Sequence, residues 1–345
     1  MEQFAEIVRL ARSGSIERAW SMFIEAGLVD IADDATAMSL KGRLLKDQAK
    51  ATEGAVRAEL FLQSANTYHA ASQLAPATYP LINAASLALL GGQADQARQL
   101  ASDTLQLLDT GGYEPETEYW LAATRAEALL LLDRDDEAQA AMAEAMLKAP
   151  QAWEDHAATI GQFALILAEQ GKDTGWLDSH RPPKSLHFQG IMGIAPDDDA
   201  LAARLDKLFG EIAPGFGFGA LAAGADILVA EALLRQGAAL HIVLPCVPAL
   251  FREQSVTAVD PAWGPRFDAL IEAAETVDSL AVTAGPSRAA IAICEETAMG
   301  LALCNARNLC STAESLCICD LERALPASVE LWRDAGFALR SLSVD

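Results

Sequence analysis

Apolar positions up to about residue 180 recur at spacings of three and four, the period of one buried helical face. The pattern changes after the Pro182-Pro183 pair. Short β-branched runs, "SLHFQGIMGI", "ALHIVLPC", "SLAVTA" and "ESLCICD", then alternate with helical stretches. Those stretches are "DDDALAARLDKLFGEI", the end of "GFGFGALAAGADILVAEALLRQG", "WGPRFDALIEAAETV" and "IAICEETAMGLALCNARNL". "SVELWRDAGFALRSL" supplies a last helix and an edge segment. Alternating strands and helices predict a parallel sheet between helical layers. The expected architecture is α plus α/β: a helical domain over 1–180 and a Rossmann-like three-layer domain over 181–345. The first strand should begin near Leu186, and a hinge should lie within 175–184.

The helical part contains a loose repeat. In "LAATRAEALLLLDRDDEAQAAMAEAMLKAP", Ala126, Ala138, Ala145 and Pro150 occupy positions where small residues and a terminating proline belong in a helical hairpin. Ala85, Gly92 and Ala97 fit the same frame, as do Ser64, Tyr68, Ala71 and Pro76, and Gly14, Ala19, Phe23 and Ala26. The anchors are unevenly spaced, with insertions such as "DTGGYEPET". This half resembles tetratricopeptide-type solenoids, although the aromatic signature of their first helix is mostly absent. The resemblance implies a protein partner for the helical domain. Packing of ordinary helical hairpins is the alternative.

Charge narrows the partners. The 345 residues carry 25 Lys and Arg against 48 Asp and Glu, a formal net charge of −23. Phosphate-backbone binding needs a basic patch, so DNA is not an expected partner. The six cysteines, Cys246, Cys294, Cys304, Cys310, Cys317 and Cys319, form no Cys-x-x-Cys pair, and only Cys246 has a histidine, His241, near it in sequence, so no metal site is expected. They read as buried reduced thiols, with Cys317 and Cys319 on one strand face. The N-terminal stretch is an amphipathic helix rather than a leader. No apolar run reads as long enough to span a membrane. A cytoplasmic location is expected, and a homo-oligomer remains open.

In an open parallel sheet the ligand crevice lies beyond the strand C-termini. Candidate binding residues are therefore Gln189 and Gly190 after the first strand, and Gly219, Leu221, Ala222, Gly224, Ala225 and Asp226 after the second. Pro245, Arg252 and Ser255 follow the third. Glycines let backbone N–H groups approach a ligand, and a helix start favours an anion. Arg252 and Ser255 could clamp a phosphate. No nucleophile–base pair emerges, so no catalytic residue is nominated and no cofactor is required.

The stretch "GALAAGADILVAEALLRQGAALHIVLP" looks like the SLOG superfamily of Rossmann-like domains. "HFQGIM", "FREQSV", "WGPRFDALIEAA" and "AMGLALCNAR" support the likeness, which covers about Leu186 to Leu342. More narrowly, the chain resembles a bacterial SLOG-like module found beside class III nucleotide cyclases and after tetratricopeptide-like helices. The resemblance implies a nucleotide or nucleotide-derived ligand and a signalling role such as that of the input module of a cyclase system. LOG phosphoribohydrolases in that superfamily carry a Pro-Gly-Gly-x-Gly-Thr loop, but this chain reads "TAGPSRAA" after a late strand. A sensor is thus favoured over an N-glycosidic hydrolase or a pure interaction scaffold. Other polar residues have structural readings: Glu231 in an interhelical contact, Arg266 in an ion pair, Glu295 and Glu296 in the first turns of a helix, and His187 and His241 on a strand core or flank.

Overall fold

The computed structural model describes residues 2–281, 285–320 and 326–344. The chain divides into two compact units, Met1–His180 and Arg181–Asp345, which are taken separately.

The first unit is helical, with α1 (Glu2–Arg12), α2 (Ile16–Glu25), α3 (Ala35–Lys50), α4 (Gly54–Leu74), α5 (Thr78–Leu90), α6 (Ala94–Thr110), α7 (Glu118–Leu131), α8 (Asp135–Lys148) and α9 (Trp153–Glu169), closed by a 3₁₀ turn, Gly175–His180. Each helix packs on its neighbour in sequence through α8, and α9 packs on α5 and α7. The close approaches use the small residues of the repeat. Ala19, Ala85, Ala97, Ala126, Ala138 and Ala145 are buried. A Cβ on Gly42 of α3 would lie 2.8 Å from the Tyr68 ring of α4. Two starts are capped by side chains: Asp34 accepts from the N–H groups of Thr36 and Ala37, and Thr117 from that of Trp120.

The second unit is a sheet of six strands, all parallel, in the order β4-β3-β2-β1-β5-β6. In chain order its elements are β1 (Ser185–Gly190), α10 (Asp199–Ile212), β2 (Phe216–Gly219), α11 (Ala225–Arg235) and β3 (Ala239–Leu244). Then come α12 (Pro248–Phe251), running on as a π-helical turn Arg252–Thr257, α13 (Trp263–Ala273) and β4 (Thr276–Ser279). The last are α14 (Arg288–Asn308), β5 (Ala313–Cys319), α15 (Ala327–Asp334) and β6 (Ala338–Ser343). The helices α10, α11 and α13 form one layer, and α14 and α15 the other. The strand series runs outward from β1 in both directions, so the order reverses there, the place where such sheets open a crevice.

The two sheet faces differ. Leu186, Phe188, Leu240, Ile242, Leu316 and Ile318 join Leu228, Trp263 and Phe267 in one apolar core. The residues between them on the strands carry polar and sulfur groups instead. His187 Nδ1 lies 2.9 Å from Ser315 Oγ, with its ring stacked on Trp332 of α15. Asn305 of α14 donates to Ser185 Oγ at 3.0 Å, and Cys294 Sγ donates to the Val243 carbonyl at 2.9 Å.

Three sequence expectations need correction. The strand read as "SLAVTA" is at Thr276–Ser279, and residues 282–284 of that run lie outside the described residues. The strand sits at the sheet edge with all four residues exposed, so it carries no apolar alternation to mark it. One helix, α14, is long and apolar enough by length and composition to cross a membrane; here it packs along β1, β2, β3 and β5. Among the cysteines, Cys304 is exposed and Cys310 is intermediate, whereas Cys246, Cys294, Cys317 and Cys319 are buried. Cys317 and Cys319 do share one face, packed with Val329.

Candidate functional site

A cavity of about 270 Å³ opens beyond the C-terminal ends of β1, β2, β3 and β5. Its wall includes Phe188, Ile191, Phe251 and Ile318, with Ile291 and Ala298 from α14. Of the residues nominated from sequence, Gln189, Gly190, Gly219, Ala222, Asp226, Pro245 and Ser255 line it.

The remaining four are placed elsewhere. Leu221 and Ala225 are fully buried in the apolar core. Gly224 has φ +101°, and a Cβ there would lie 2.9 Å from the Ile191 carbonyl oxygen, so it packs against the loop after β1. Arg252 donates to both carboxylate oxygens of Asp268, at 2.7 and 2.8 Å, a pairing that turns its guanidinium away from any phosphate. The glycines that do line the cavity also have a packing role. A Cβ on Gly190 would meet Ala225 Cβ at 2.3 Å, and one on Gly219 would meet the Phe188 carbonyl at 2.6 Å. Gly190 lets α11 approach β1, and Gly219 lets β2 lie close against Phe188.

Several backbone N–H groups expected to cradle an anion have protein acceptors. Ala222 donates to Asp226 Oδ2 at 3.2 Å, Ala223 to the Ser255 carbonyl at 3.0 Å, and Ala225 to the Ile191 carbonyl at 3.2 Å. The carboxyl of Asp226 therefore folds back on its own loop. The π-helical turn brings Ser255 to the same loop.

Two buried polar groups remain incompletely satisfied at this cavity. Asp226 is 6% exposed, and its Oδ1 has no hydrogen-bond partner. Gln189 is 8% exposed; its Oε1 accepts from Ser328 Oγ at 3.2 Å, while its Nε2 has no partner. A buried polar atom without a partner costs about 1–3 kcal/mol, and both of these atoms belong to residues that line this cavity. Burial pushes the Asp226 carboxyl up to about 8, against the pull of the Ala222 and Gly190 N–H groups, so it is mostly protonated at neutral pH. Burial also raises Glu295, which Ser328 partly offsets. Cys294 is pushed up to about 12 by burial, with the Asp226 and Glu295 charges adding to the shift, and stays a thiol. His187 is driven down to about 4 by burial and stays neutral.

Sequence reasoning missed Cys294 and Glu295. The spacing of Ile291, Glu295 and Ala298 puts all three on one face of α14, and that face meets the cavity. Glu295 lies two turns into α14. The readings of Glu231 and Arg266 converge: Arg266 Nε donates to Glu231 Oε1 at 2.7 Å, linking α13 to α11, and its guanidinium lies over the Trp263 ring. His241 stacks on Phe218, their ring centroids 4.6 Å apart. Among the described residues no group of three or more His, Cys, Asp or Glu is gathered to hold a metal ion.

Comparison with known families gives one match. Residues 3–88, spanning α1 to most of α5, are similar to the Tetratricopeptide Repeats-Sensor family. No curated protein matches the chain.

Proposed function

We propose that the chain is a non-catalytic sensor in which the α/β unit binds a nucleotide-derived small molecule and the helical unit engages a protein partner. The observation that carries this reading is the cavity at the strand-order reversal, lined by Asp226 and Gln189, each of which has a buried side-chain atom without a hydrogen-bond partner. The position is the one where parallel α/β sheets bind ligands. The match of residues 3–88 to sensor-type repeats supports a protein-interaction or sensing role for the helical unit. The likeness of Leu186 to Leu342 to SLOG domains supports a nucleotide-derived ligand, by analogy of fold and motif. The same likeness suggests a nucleotide-cyclase system as the output.

The cavity's chemistry favours binding over turnover. The Cys294 thiol is held protonated and the His187 ring is tied to Ser315, so neither serves as a ready nucleophile or base. A thermal-shift and calorimetric screen of the full chain against nucleosides, nucleotides and cyclic nucleotides tests the reading. Saturable binding without turnover is the expected result. Hydrolysis at roughly one per second or faster would replace the sensor with an enzyme.

A further inference from the structure

Resting on the reading that this cavity takes a nucleotide-derived ligand, we infer that it selects the uncharged nucleoside and disfavours its phosphorylated forms. Three observations lead there. First, the described residues lining the cavity include no lysine or arginine, while Asp226, Glu295 and Asp320 are all present. The nearest basic residue that sequence suggested, Arg252, is committed to Asp268. Second, the loop N–H groups of Ala222, Ala223 and Ala225 donate to protein oxygens, so the start of α11 does not offer them to a phosphate. Third, the two unpartnered atoms are a carboxyl oxygen and an amide N–H group. Hydroxyls of a ribose or the edge of a base satisfy such a pair. A phosphate would satisfy Gln189 and be repelled by an ionised neighbour.

Size and wall chemistry agree. A volume of about 270 Å³ is at the small end of ligand pockets, which run from roughly 300 to 1,000 Å³. The wall of Phe188, Ile191, Phe251 and Ile318 suits a flat apolar ring. This preference differs from helix-start phosphate sites, where unpaired N–H groups and a cation face the anion.

The test uses the full chain at pH 8, where Asp226, pushed up to about 8 by burial, is partly ionised. Adenosine, guanosine, cytidine and uridine are each titrated beside their 5′-monophosphates by calorimetry. The variant Ile291→Trp fills the cavity mouth from a position that is 40% exposed, so it leaves the core alone. The expected result is that at least one nucleoside binds about tenfold or more tightly than its monophosphate, and that Ile291→Trp removes this binding. Glu295→Gln should narrow the gap by improving the monophosphate. A monophosphate that binds as well as its nucleoside overturns the inference and leaves the proposed function standing. Nucleoside binding that survives Ile291→Trp places the site elsewhere and also overturns it. If neither series binds, the proposed function falls and this inference falls with it.

Discussion

The two units each withdraw a carboxyl group from water, and they treat it differently. In the helical unit, Glu127 of α7 accepts a short hydrogen bond from Ser86 of α5, and the charges of Lys46 and Lys50 act on it. Lys46 in turn donates to Asn83 Oδ1 at 2.9 Å, and Asn83 Nδ2 to the Tyr79 carbonyl at 2.9 Å. Burial still raises Glu127 and lowers Lys46 to about 8, yet each has partners within the fold. In the α/β unit, Asp226 lines a cavity; its Oδ2 accepts from the Ala222 N–H, and its buried Oδ1 has no hydrogen-bond partner. The first arrangement is a polar link across the alternate helices α3, α5 and α7. The second is an incomplete one. A buried polar group that the fold satisfies contributes to structure, and one that it leaves open points to a ligand.

The largest effect should come from breaking the complete arrangement. Glu127→Ala removes the acceptor for Ser86 and the counter-charge for Lys46. It should destabilise the helical unit by roughly 3–4 kcal/mol. Hydrogen exchange at rising urea resolves the two units, and amides within residues 1–180 should lose protection. Unchanged protection there would mean that Glu127 is solvated and the contrast with Asp226 is unfounded.

The incomplete arrangement should respond in the opposite direction. Below about pH 4 Asp226 is protonated in both folded and unfolded chains, so its burial costs nothing extra. Between about 4 and 8 the unfolded chain ionises while the folded one holds its proton. Stability is therefore lost as pH rises through this window and levels off above it. Asp226→Asn keeps an acceptor for the Ala222 N–H and escapes the penalty. Its stability gain should be near zero at pH 4 and on the order of 3 kcal/mol at pH 8. Chemical denaturation at both values measures the difference, and a gain that does not grow with pH would show that Asp226 is not held protonated.

Gly224 sharpens the comparison at the backbone. Sequence nominated Gly224 as part of the binding loop, and the structure gives it a backbone role. With φ +101° and the Ile191 carbonyl 2.9 Å from a built Cβ, Gly224→Val strains the loop that positions Asp226. The cost should be roughly 2 kcal/mol, confined to the α/β unit. Equal stability of Gly224→Val and the parent in denaturant would refute this.

How far the sequence revealed these features follows from what each residue packs against. The change from helical to alternating periodicity located the first strand, because β1 is buried and its residues carry the pattern. The small residues of the helical repeat were legible because close helix approach leaves no room for larger ones. Edge strand β4 was misplaced because exposure leaves its side chains free of patterning. Asp226 was found because it follows a glycine-rich turn. Glu295 was passed over because acidic residues near a helix start usually cap it, and only the sheet packing of α14 shows its face. Leu221 and Ala225 were nominated because a loop position was taken as accessible, whereas this loop is folded into the core.

The smallest effect concerns the residue on which a phosphate reading most depended. Arg252 was nominated as a clamp from its place after the third strand. In the structure it pairs with Asp268 across an exposed surface, and the guanidinium holds that carboxyl below its ordinary range. Exposed ion pairs contribute about 0–1 kcal/mol, because solvent screens the attraction and the side chains lose freedom in forming it. Arg252→Ala should therefore leave stability nearly unchanged and leave nucleoside affinity unchanged, since its side chain is absent from the cavity wall. Calorimetric titration of the variant beside the parent gives the comparison. A large loss of affinity for a nucleoside monophosphate would mean that Arg252 leaves Asp268 to reach the ligand. The cavity would then be a phosphate site after all, and the contrast drawn between an open carboxyl and a helix-start anion site would fail at its central point.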